Sequence, residues 1–453
     1  MGTHNRLRDF QLNGVKLIKQ VFSLGVKRKF CFLADEPGLG KTAQAIEISK
    51  NIEGRLLIVC PASLKHNWLN ELVMWGIEEK DISLIPTKIV AKARYVIINY
   101  DLLSRYEERI LSVKWGMVIF DEAHYLKTPT AARTKSAAKI CGASSAVLAI
   151  TGTPIVNQPM DILNLMHLFL PGFWFDATAK NMWQVYHRYY LTRQFDIGGA
   201  KTRTHFYAPR ESMMPVIAKK IAPYIVRRTK QEVLTELPDK IKQIIEIDAE
   251  STREMILEAE QFEQQVVKLG RYKAITDIHL STLRQEVAMK KISAVVDLAE
   301  QVLAEEGKVV IFCVHHAIID ALQEEFRNRP NHYRGSNSEV HPQIMVIDGR
   351  VPVAARETIV GGFQMAKRKI LIAQIQTAGV GLTLTTAKTV IFAEWSYVPG
   401  EIDQAIDRLH RIGQKDSVRA IFIAMRNSVD KKILEILLSK QKDVDKLLQS
   451  AIS

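Results

Sequence analysis

The stretch FCFLADEPGLGKT, which runs from Phe30 to Thr42, decides how this sequence folds. Its apolar part, Phe30–Ala34, is unbroken, which is typical of a strand buried on both faces of a parallel sheet. A glycine-bearing turn follows and leads into Lys41–Asn51, where apolar residues recur at helical spacing. Such a turn between a strand and a helix aims backbone N–H groups and the helix dipole at a phosphate group. We therefore predict an α/β domain with a phosphate-binding loop at this position.

The side chains of this loop indicate a nucleoside triphosphate as its ligand. Lys41 can reach the β- and γ-phosphates, and the Thr42 hydroxyl can hold Mg²⁺. The strict phosphate-loop pattern requires glycine where Asp35 stands, so the bare pattern is matched imperfectly. We expect ATP and Mg²⁺ as cofactors. The cofactor-binding candidates in the loop are Asp35, Glu36, Gly38, Leu39, Gly40, Lys41 and Thr42.

The same pattern extends outward from the loop. Apolar runs alternate with amphipathic stretches through residues 1–170 and again in residues 301–453, whereas the region 171–300 reads as mostly helical. We predict two α/β lobes, the second with a C-terminal helix, that flank helical insertions and a lobe linker. The predicted strands are Phe30–Ala34, Leu56–Cys60, Tyr95–Ile98, Met117–Phe120, Val147–Ile150, Val309–Val314, Ile344–Ile347, Ile370–Ile372, Val390–Ala393 and Ala420–Ala424. The predicted helices include Lys41–Asn51, Ser63–Trp75, Ala317–Arg327 and Val353–Phe363.

Length and charge limit the possible classes of protein. A chain of 453 residues is too long for one ordinary core, so two or three domains are expected. No apolar run of about 18 residues occurs and Met1–Phe10 is charged, so neither a membrane-spanning helix nor a signal peptide is expected. The net charge of +13 suits a polyanionic partner such as nucleic acid, although a generally basic, soluble surface would give the same value. We expect an intracellular protein.

Disulfide and structural metal sites are not indicated. The cysteines are scattered without a CxxC pair and lie in or near apolar segments, so we expect them to be small buried hydrophobic residues. The pair His315-His316 has no other ligand at metal spacing, which disfavours a metal site there. The four cysteines are Cys31, Cys60, Cys141 and Cys313.

The segment Phe173–Tyr207 is crowded with aromatic residues among basic ones. Aromatic side chains interleaved with basic residues can stack on the bases of a nucleic acid and bind its phosphates. Such residues more often form the core of a helical insert, and we favour that interpretation. Its aromatic residues include Trp174, Trp183, Tyr186, Tyr189 and Tyr190.

Acidic and hydroxyl residues follow two further predicted strands. Asp121 comes directly after Met117–Phe120 and can hold the metal's water shell, while Glu122 can orient or deprotonate an attacking water. Thr151-Gly152-Thr153-Pro154 follows the next strand, where its hydroxyls can sense the nucleotide state; a simple turn is the alternative if the segment is taken alone. These segments predict the hydrolytic half of the nucleotide site.

An arginine pair stands in the second lobe. Arg408 and Arg411 are three residues apart, which predicts that they share one face of a helix. Two guanidinium groups from a second lobe can stabilise charge on the γ-phosphate when the lobes close. A solvated basic helix is the alternative if the motif is taken alone.

Together these motifs resemble the Swi/Snf-type ATPases of helicase superfamily two, over nearly the whole chain and in the same order. That family also carries an acidic residue at the position of Asp35. The resemblance rests on Leu7–Gln11, Asp35–Thr42, Cys60–Leu64 with Trp68, Ile98–Leu103, Thr151–Pro154 with Asn157, Arg227–Lys230 through Leu237-Pro238, Ile347–Gly349, Thr377–Leu382 and His410–Gln414.

Two comparisons within the family refine this resemblance. Phe312–His316 with Phe392–Glu394 is similar to the branch that contains the annealing helicases. Pro37 replaces a methionine of the family, and Tyr397-Val398-Pro399 stands where the family usually has Trp-Asn before the proline, so coupling through that loop is expected to differ.

The resemblance implies a fold and a set of site residues. The fold class is α/β, with two RecA-like parallel-sheet lobes, helical insertions between them, and ATP with Mg²⁺ in the cleft. Gln11 would read the adenine edge, and Gly379 and Gln404 would also bind the cofactor. The implied catalytic residues are Lys41, Asp121, Glu122, Arg408 and Arg411, with Thr42 and Asp121 at the metal. The implied nucleic-acid contacts are Pro61, Ser63, Lys65, Asn99, Tyr100, Thr151, Gly152, Thr153, Thr377, Gly379 and Gly381.

The function that the resemblance implies is ATP-dependent translocation along double-stranded DNA, remodelling DNA or protein–DNA complexes without obligatory strand separation. Two alternatives stay open: a strand-separating DNA or RNA helicase, and a non-catalytic, ATP-gated DNA clamp, which the intact catalytic set disfavours. Single-stranded or branched DNA is a further expected partner, and a membrane is not. We expect a monomeric minimal motor core, in the cytoplasm or nucleoid of a bacterium or virus, or in the nucleus of a eukaryote.

Overall fold

The chain divides into two compact units in a computed structural model. Unit 1 comprises Met1–Thr235 with Lys442–Ser453, and unit 2 comprises Glu236–Gln441. The residues that the structure describes are 7–24, 28–88, 92–152, 160–196, 202–248, 257, 260–262, 264, 281–329, 344–378, 382–426, 428, 430–437 and 439.

Unit 1 is built on a parallel sheet of seven strands. A separate antiparallel ribbon pairs β7 with β8. The strands are β1 (Lys29–Leu33), β2 (Arg55–Cys60), β3 (Ile82–Leu84), β4 (Tyr95–Asn99), β5 (Trp115–Asp121), β6 (Ser144–Ile150), β7 (Tyr190–Asp196), β8 (Thr202–Pro209) and β9 (Ile225–Val226). Their order in the large sheet is β3-β4-β2-β5-β6-β1-β9.

Helices follow these strands, as expected of parallel connections. The α-helices of unit 1 are α1 (Asp9–Phe22), α2 (Lys41–Lys50), α3 (Lys65–Met74), α4 (Glu107–Leu111), α5 (Ala132–Gly142), α6 (Met160–Phe169), α7 (Met182–Tyr189), α8 (Met214–Ile221) and α9 (Lys230–Val233). Short 3₁₀ turns cover Ala62–Leu64, Glu79–Asp81, Tyr100–Leu102, Ala123–Leu126, Glu211–Met213 and Ala222–Tyr224.

The strand residues of this sheet are buried on both faces. Phe30 and Phe32 pack into one apolar layer, whereas Cys31 and Leu33 pack into the layer on the opposite face. Successive residues of a strand point to opposite faces, so a strand covered on both sides must be apolar at every position. This requirement explains the unbroken apolar runs of the sequence.

Unit 2 repeats this architecture with a parallel sheet of six strands. The strands are β10 (Lys240–Ile247), β11 (Lys308–Cys313), β12 (Ile344–Ile347), β13 (Lys369–Gln374), β14 (Thr389–Phe392) and β15 (Val418–Met425), in the order β10-β15-β14-β11-β13-β12. The helices are α10 (Ser281–Lys290), α11 (Ile292–Glu306), α12 (His316–Asn328), α13 (Val353–Met365), α14 (Ile375–Ala378) and α15 (Pro399–Ile406).

The strands and helices whose ranges were given above are confirmed, with small shifts of the ends, and so is the α/β class with two parallel sheets. The predicted C-terminal helix lies largely outside the described residues. The prediction that residues 171–300 are mostly helical is wrong in part, because β7 to β10 lie there. β10 is an edge strand whose Ile241 and Ile244 are exposed, so it lacks the apolar run of a central strand. The four cysteines are buried and free, as expected. Within the described parts of the chain, no helix has the length and apolarity needed to cross a membrane.

Candidate active site

The carboxyl ends of parallel strands meet at one edge of a sheet, where α/β proteins bind their ligands. In unit 1 this edge carries the residues that follow β1, β2, β4, β5 and β6. The phosphate-binding loop follows β1, and its Gly38 and Gly40 have φ of 90° and 72°. Gly40 is the N-cap of α2, and a Cβ at this position would overlap Nε2 of Gln11. The left-handed φ favours glycine there, and any other residue would also displace the end of the Gln11 side chain.

The loop is held by Lys41 and Gln11. The Lys41 Nζ donates to the backbone oxygens of Asp35 (2.8 Å) and Glu36 (3.2 Å). Gln11 is buried in α1, and its Nε2 donates to the backbone oxygen of Leu39 (3.3 Å). The structure thus brings the residue predicted to read adenine into contact with the loop predicted to bind phosphate.

Asp35 is oriented into the protein. Its side chain is fully buried, and both carboxylate oxygens accept hydrogen bonds from Arg228, with a further bond from Gln44. Glu36 is also used, since its Oε2 accepts from the backbone N–H of Lys230 (2.9 Å). We predicted that Asp35 and Glu36 bind the cofactor, and these contacts indicate an indirect role through the shape of the loop.

Asp121, at the end of β5, is a buried carboxylate with donors on both oxygens. Trp68 Nε1 donates to its Oδ2 (2.8 Å) and the backbone N–H of Glu122 donates to its Oδ1 (3.0 Å). Burial, and then the Glu122 carboxylate, raise the pKa of Asp121 to about 7, against the lowering influence of Trp68 and Lys41. A Cβ built on Gly152, which follows β6, would lie 3.3 Å from Lys41 Nζ, so the phosphate-binding loop and this strand end face the same space.

These residues fit a magnesium ion. Mg²⁺ prefers oxygen ligands and is usually bound by one or two carboxylates together with substrate phosphates. Asp121 supplies a carboxylate whose charged form is disfavoured by burial and then by Glu122, so that a cation would stabilise it, and Thr42 supplies a hydroxyl in the first turn of α2. Within the described residues, no group of three or more His, Cys, Asp or Glu side chains forms a metal cage.

Glu122 has a backbone conformation that non-glycine residues rarely adopt. Its φ of 50° is the only positive value at a non-glycine position in the described part of the chain. Its Oε2 lies 3.3 Å from His124 Nδ1, which is 3.2 Å from Thr151 Oγ1. Strained backbone of this kind is concentrated at functional sites. The Thr151 hydroxyl also donates directly to Glu122 Oε2 (3.5 Å), so the candidate base and the candidate sensor residue are in contact and His124 lies beside both.

The predicted nucleic-acid contacts of unit 1 lie at this same edge, in different environments. Ser63 and Lys65 are half-buried, and Lys65 Nζ donates to the backbone oxygen of Ile85 (3.1 Å). Tyr100 is buried: its ring stacks on Tyr125 and its hydroxyl donates to the backbone oxygen of Asp121 (2.7 Å). Pro61, Asn99, Thr151 and Gly152 are buried, and Thr153 lies outside the described residues.

In unit 2, Gln374 joins three strand ends. Its Oε1 accepts from the Thr377 hydroxyl and from the backbone N–H of Gly349 (3.0 Å each), and its Nε2 donates to the backbone oxygen of Val314 (3.0 Å). Thr377, a predicted nucleic-acid contact, is thus fixed by a residue that sequence reasoning missed. Gly379 and Gly381 lie outside the described residues. Gln404 is half-buried in α15.

The prediction that Arg408 and Arg411 share a helix face is wrong, because α15 ends at Ile406. The chain turns there, since His410 Nε2 lies 2.6 Å from the backbone oxygen of Pro238 and Gly413 has a φ of 102°. Arg411 Nη1 donates to Thr383 Oγ1 (2.9 Å). The two arginines lie in this turn segment, and their catalytic role stays a prediction.

Comparisons with known proteins agree with this arrangement. Residues 10–301 match the SNF2-related domain, and residues 290–413 match the helicase conserved C-terminal domain. The chain is 30% identical over 447 residues to the DNA annealing helicase and endonuclease ZRANB3 of Mus musculus, covering 94% of this chain and 39% of that protein. It is 28% identical over 472 residues to an uncharacterised ATP-dependent helicase of Mycoplasma pneumoniae, covering 98% of this chain and 42% of that protein.

The chain spans about two fifths of the length of these two relatives. Among solved structures, the SWI2/SNF2 ATPase core of Sulfolobus solfataricus in complex with dsDNA is similar, with a TM-score of 0.43 and 22% identity. That similarity covers 99% of this chain and 94% of the solved one.

Proposed function

The chain belongs to the family of SNF2-related domains, and from this premise we propose that it is an ATP-driven translocase on double-stranded DNA that does not require strand separation. The expected enzyme class, a helicase-like ATP hydrolase, is confirmed at the level of the family, where relatives are named as ATP-dependent helicases. The proposed task is the remodelling of DNA or of protein–DNA complexes by a monomeric motor.

One observation carries the hydrolytic part of this proposal. At one sheet edge, the Thr151 hydroxyl donates to Glu122 Oε2 (3.5 Å) and His124 contacts both residues, directly beside the buried carboxylate of Asp121. A base, a metal-binding carboxylate and a hydroxyl sensor are needed together for phosphoryl transfer to water. A clamp that only binds ATP would not require a strained, oriented Glu122.

The residues of the site have separable roles. Gln11 would contact the base, and the backbone N–H groups at the start of α2 with Lys41 Nζ would hold the phosphates. Thr42 and Asp121 would hold Mg²⁺, which with ATP supplies charge neutralisation at the transferred phosphoryl group. Glu122 Oε2 would orient the attacking water and take its proton, while Thr151 and His124 keep this carboxylate in place.

For unit 2 we propose that Arg408 and Arg411 stabilise charge on the γ-phosphate, and that Gly379 and Gln404 take part in cofactor binding. This part of the proposal rests on the resemblance of the sequence to the family. Loss of turnover with retained binding of ATP is the expected effect of replacing either arginine.

Duplex DNA is the proposed track for three reasons. The net charge is +13, the candidate contacts are mostly backbone groups, hydroxyls and a lysine, and ZRANB3 is named as a DNA annealing helicase. Contacts of this kind are made to phosphates and carry little sequence information. A strand-separating helicase is the second candidate, since the relative from Mycoplasma pneumoniae is named simply as an ATP-dependent helicase.

The first experiment measures steady-state ATP hydrolysis without nucleic acid and with linear duplex DNA, single-stranded DNA or RNA. We expect low basal activity and the strongest stimulation by duplex DNA. Glu122→Gln should lower kcat by at least about 100-fold while ATP still binds, because general-base assistance is lost. Glu108→Gln, a neutralised glutamate on the exposed side of α4, is the matched control. Stimulation by single strands or RNA alone would favour the unwinding helicase.

A further inference from the structure

A short segment after β9 is paired with the phosphate-binding loop through the backbone. The Ala34 N–H donates to the Val226 oxygen (2.7 Å), and the Glu36 N–H donates to the Arg228 oxygen (3.1 Å). These bonds continue the parallel pairing of β1 with β9 into the loop itself. Arg228 is therefore placed against the residues that precede Lys41.

The guanidinium of Arg228 connects three elements. It donates through Nε to Asp35 Oδ1 (3.0 Å) and through Nη2 to Asp35 Oδ2 and to Gln44 Oε1 (2.7 Å). Its Nη1 donates to the backbone oxygen of Phe10, at the start of α1. Gln44 in turn donates to Asp35 Oδ2 (3.0 Å). One side chain thus joins the loop, the first helix and the helix that carries Lys41.

The surroundings show that this arrangement is specific. Asp35 is fully buried, and a carboxylate in such a place requires a charged partner and several hydrogen bonds. Arginine is suited to the site because its planar fork can bind a carboxylate at two points, which lysine cannot do. Gly14 leaves the necessary space, since a Cβ there would overlap both Gln44 Oε1 and Arg228 Nη2.

We propose that Arg228 is a positioning residue for nucleotide binding, and that it acts through Asp35 and Gln44 to fix the loop relative to Gln11 and Lys41. The inference rests on the proposed use of ATP at this site. It explains why an aspartate can replace the first glycine of the strict phosphate-loop pattern: the carboxylate is the anchor of the loop. Arg228 has no direct contact with the nucleotide in this account.

The test compares Arg228→Gln, Arg228→Lys, Asp35→Asn and the double variant Arg228→Gln/Asp35→Asn with the wild type. The readouts are the KM for ATP, the Kd for the fluorescent analogue mant-ADP with Mg²⁺, the Kd for a short duplex without nucleotide, and the melting temperature. Arg228→Lys keeps the positive charge beside Asp35, so it allows the test to be made if Arg228→Gln does not fold.

A matched control exists at the other end of the same helix. The Arg94 side chain donates to the backbone oxygens of Ser49, Lys50 and Ile52, around the C-terminus of α2. Arg94→Gln therefore removes an arginine that supports α2 without touching the phosphate-binding loop. It should lower the melting temperature and leave the mant-ADP Kd within about twofold of the wild type.

We expect Arg228→Gln to raise the KM for ATP and the Kd for mant-ADP by about 10- to 100-fold, because a shift of about 1 Å in the groups that hold the nucleotide has an effect of this size. Arg228→Lys should show a smaller increase in both constants. Duplex affinity should be unchanged. In the Asp35→Asn background, Arg228→Gln should add little further loss, because both act through one pair. If both Arg228 variants bind mant-ADP as Arg94→Gln does, Arg228 is only structural and the proposal is overturned.

The wild-type arm separates this inference from the proposed function. Wild-type protein that binds mant-ADP but shows no stimulation by duplex DNA would contradict the translocase, while the effect of Arg228→Gln on mant-ADP would still support the positioning role. If duplex DNA stimulates ATP hydrolysis normally in all variants and the KM for ATP is unchanged, the translocase would be supported and the positioning role of Arg228 contradicted.

Discussion

At the scale of single residues, His124 contacts both the candidate base Glu122 and the candidate sensor residue Thr151. Its Nδ1 lies within 3.3 Å of both Glu122 Oε2 and Thr151 Oγ1. Glu122 is held in the left-handed region with a φ of 50°, so its side-chain direction depends on such neighbours. We therefore propose that His124 is a positioning residue for the candidate base.

Replacing His124 by alanine should lower the kcat of DNA-stimulated hydrolysis by about 10- to 100-fold and leave the Kd for mant-ADP unchanged, because only the orientation of Glu122 is affected. Stopped-assay kinetics and nucleotide titration measure the two quantities. Tyr125→Phe, which keeps the ring stacked on Tyr100, is the control at the next position. An equal loss in both variants would show that His124 only supports the local fold.

Asp35 marks what the sequence could and could not predict at this scale. The loop and its lysine are contiguous in sequence, so the pattern predicts them. The partner of Asp35 is Arg228, which is 193 residues away, and no local pattern reports that pairing.

At the scale of elements, the strand ends of unit 2 are tied together by a buried glutamate. Glu394, which follows β14, accepts from the backbone N–H groups of Val314 and His315 (2.9 Å each), and its other oxygen lies 2.6 Å from His315 Nδ1. Burial by itself would raise the pKa of Glu394, but the hydrogen bonds and charge of His315 and the bond from Val314 lower it below its usual range.

A lowered pKa in the folded state makes the stability of this region depend on pH. The stabilisation is present above the unfolded pKa of about 4.3 and is lost as the pH falls from there through the lower folded value. Cys313 and Tyr397 nearby have raised pKa values and stay neutral in this range. In urea unfolding, the free energy of unfolding of the wild type should therefore fall more steeply as the pH is lowered than that of Glu394→Gln. The same dependence of stability on pH in both proteins would contradict a lowered pKa of Glu394.

The elements themselves were largely predictable. Central strands such as β1 and β11 are apolar at every position after a first lysine, because both of their faces are covered, and that run is visible in the sequence. β10 at the sheet edge has Lys, Gln and Glu among its isoleucines, and β9 has two residues only, so neither carries this signal. The segment that contains Arg408 was mistaken for helix because no glycine or proline in the local sequence marks the end of α15 at Ile406.

At the scale of the whole molecule, the chain has two parallel-sheet units and a net charge of +13, and it belongs to the family of SNF2-related domains. Unit 1 carries the phosphate-binding loop, the proposed metal ligand Asp121 and the proposed base Glu122 on one sheet edge, so contacts within the unit support its proposed part in hydrolysis. The part of unit 2 is argued from the resemblance of Arg408 and Arg411 to family positions. The central claim is that hydrolysis moves the protein along duplex DNA.

The most direct measurement of that claim is displacement of a labelled third strand from a triplex on linear duplex DNA, with a forked duplex in parallel to detect strand separation. We predict ATP-dependent displacement of the third strand by the wild type, none by Glu122→Gln, and no unwinding of the fork. Unwinding of the fork, or an undisturbed triplex despite DNA-stimulated hydrolysis, would contradict translocation on double-stranded DNA.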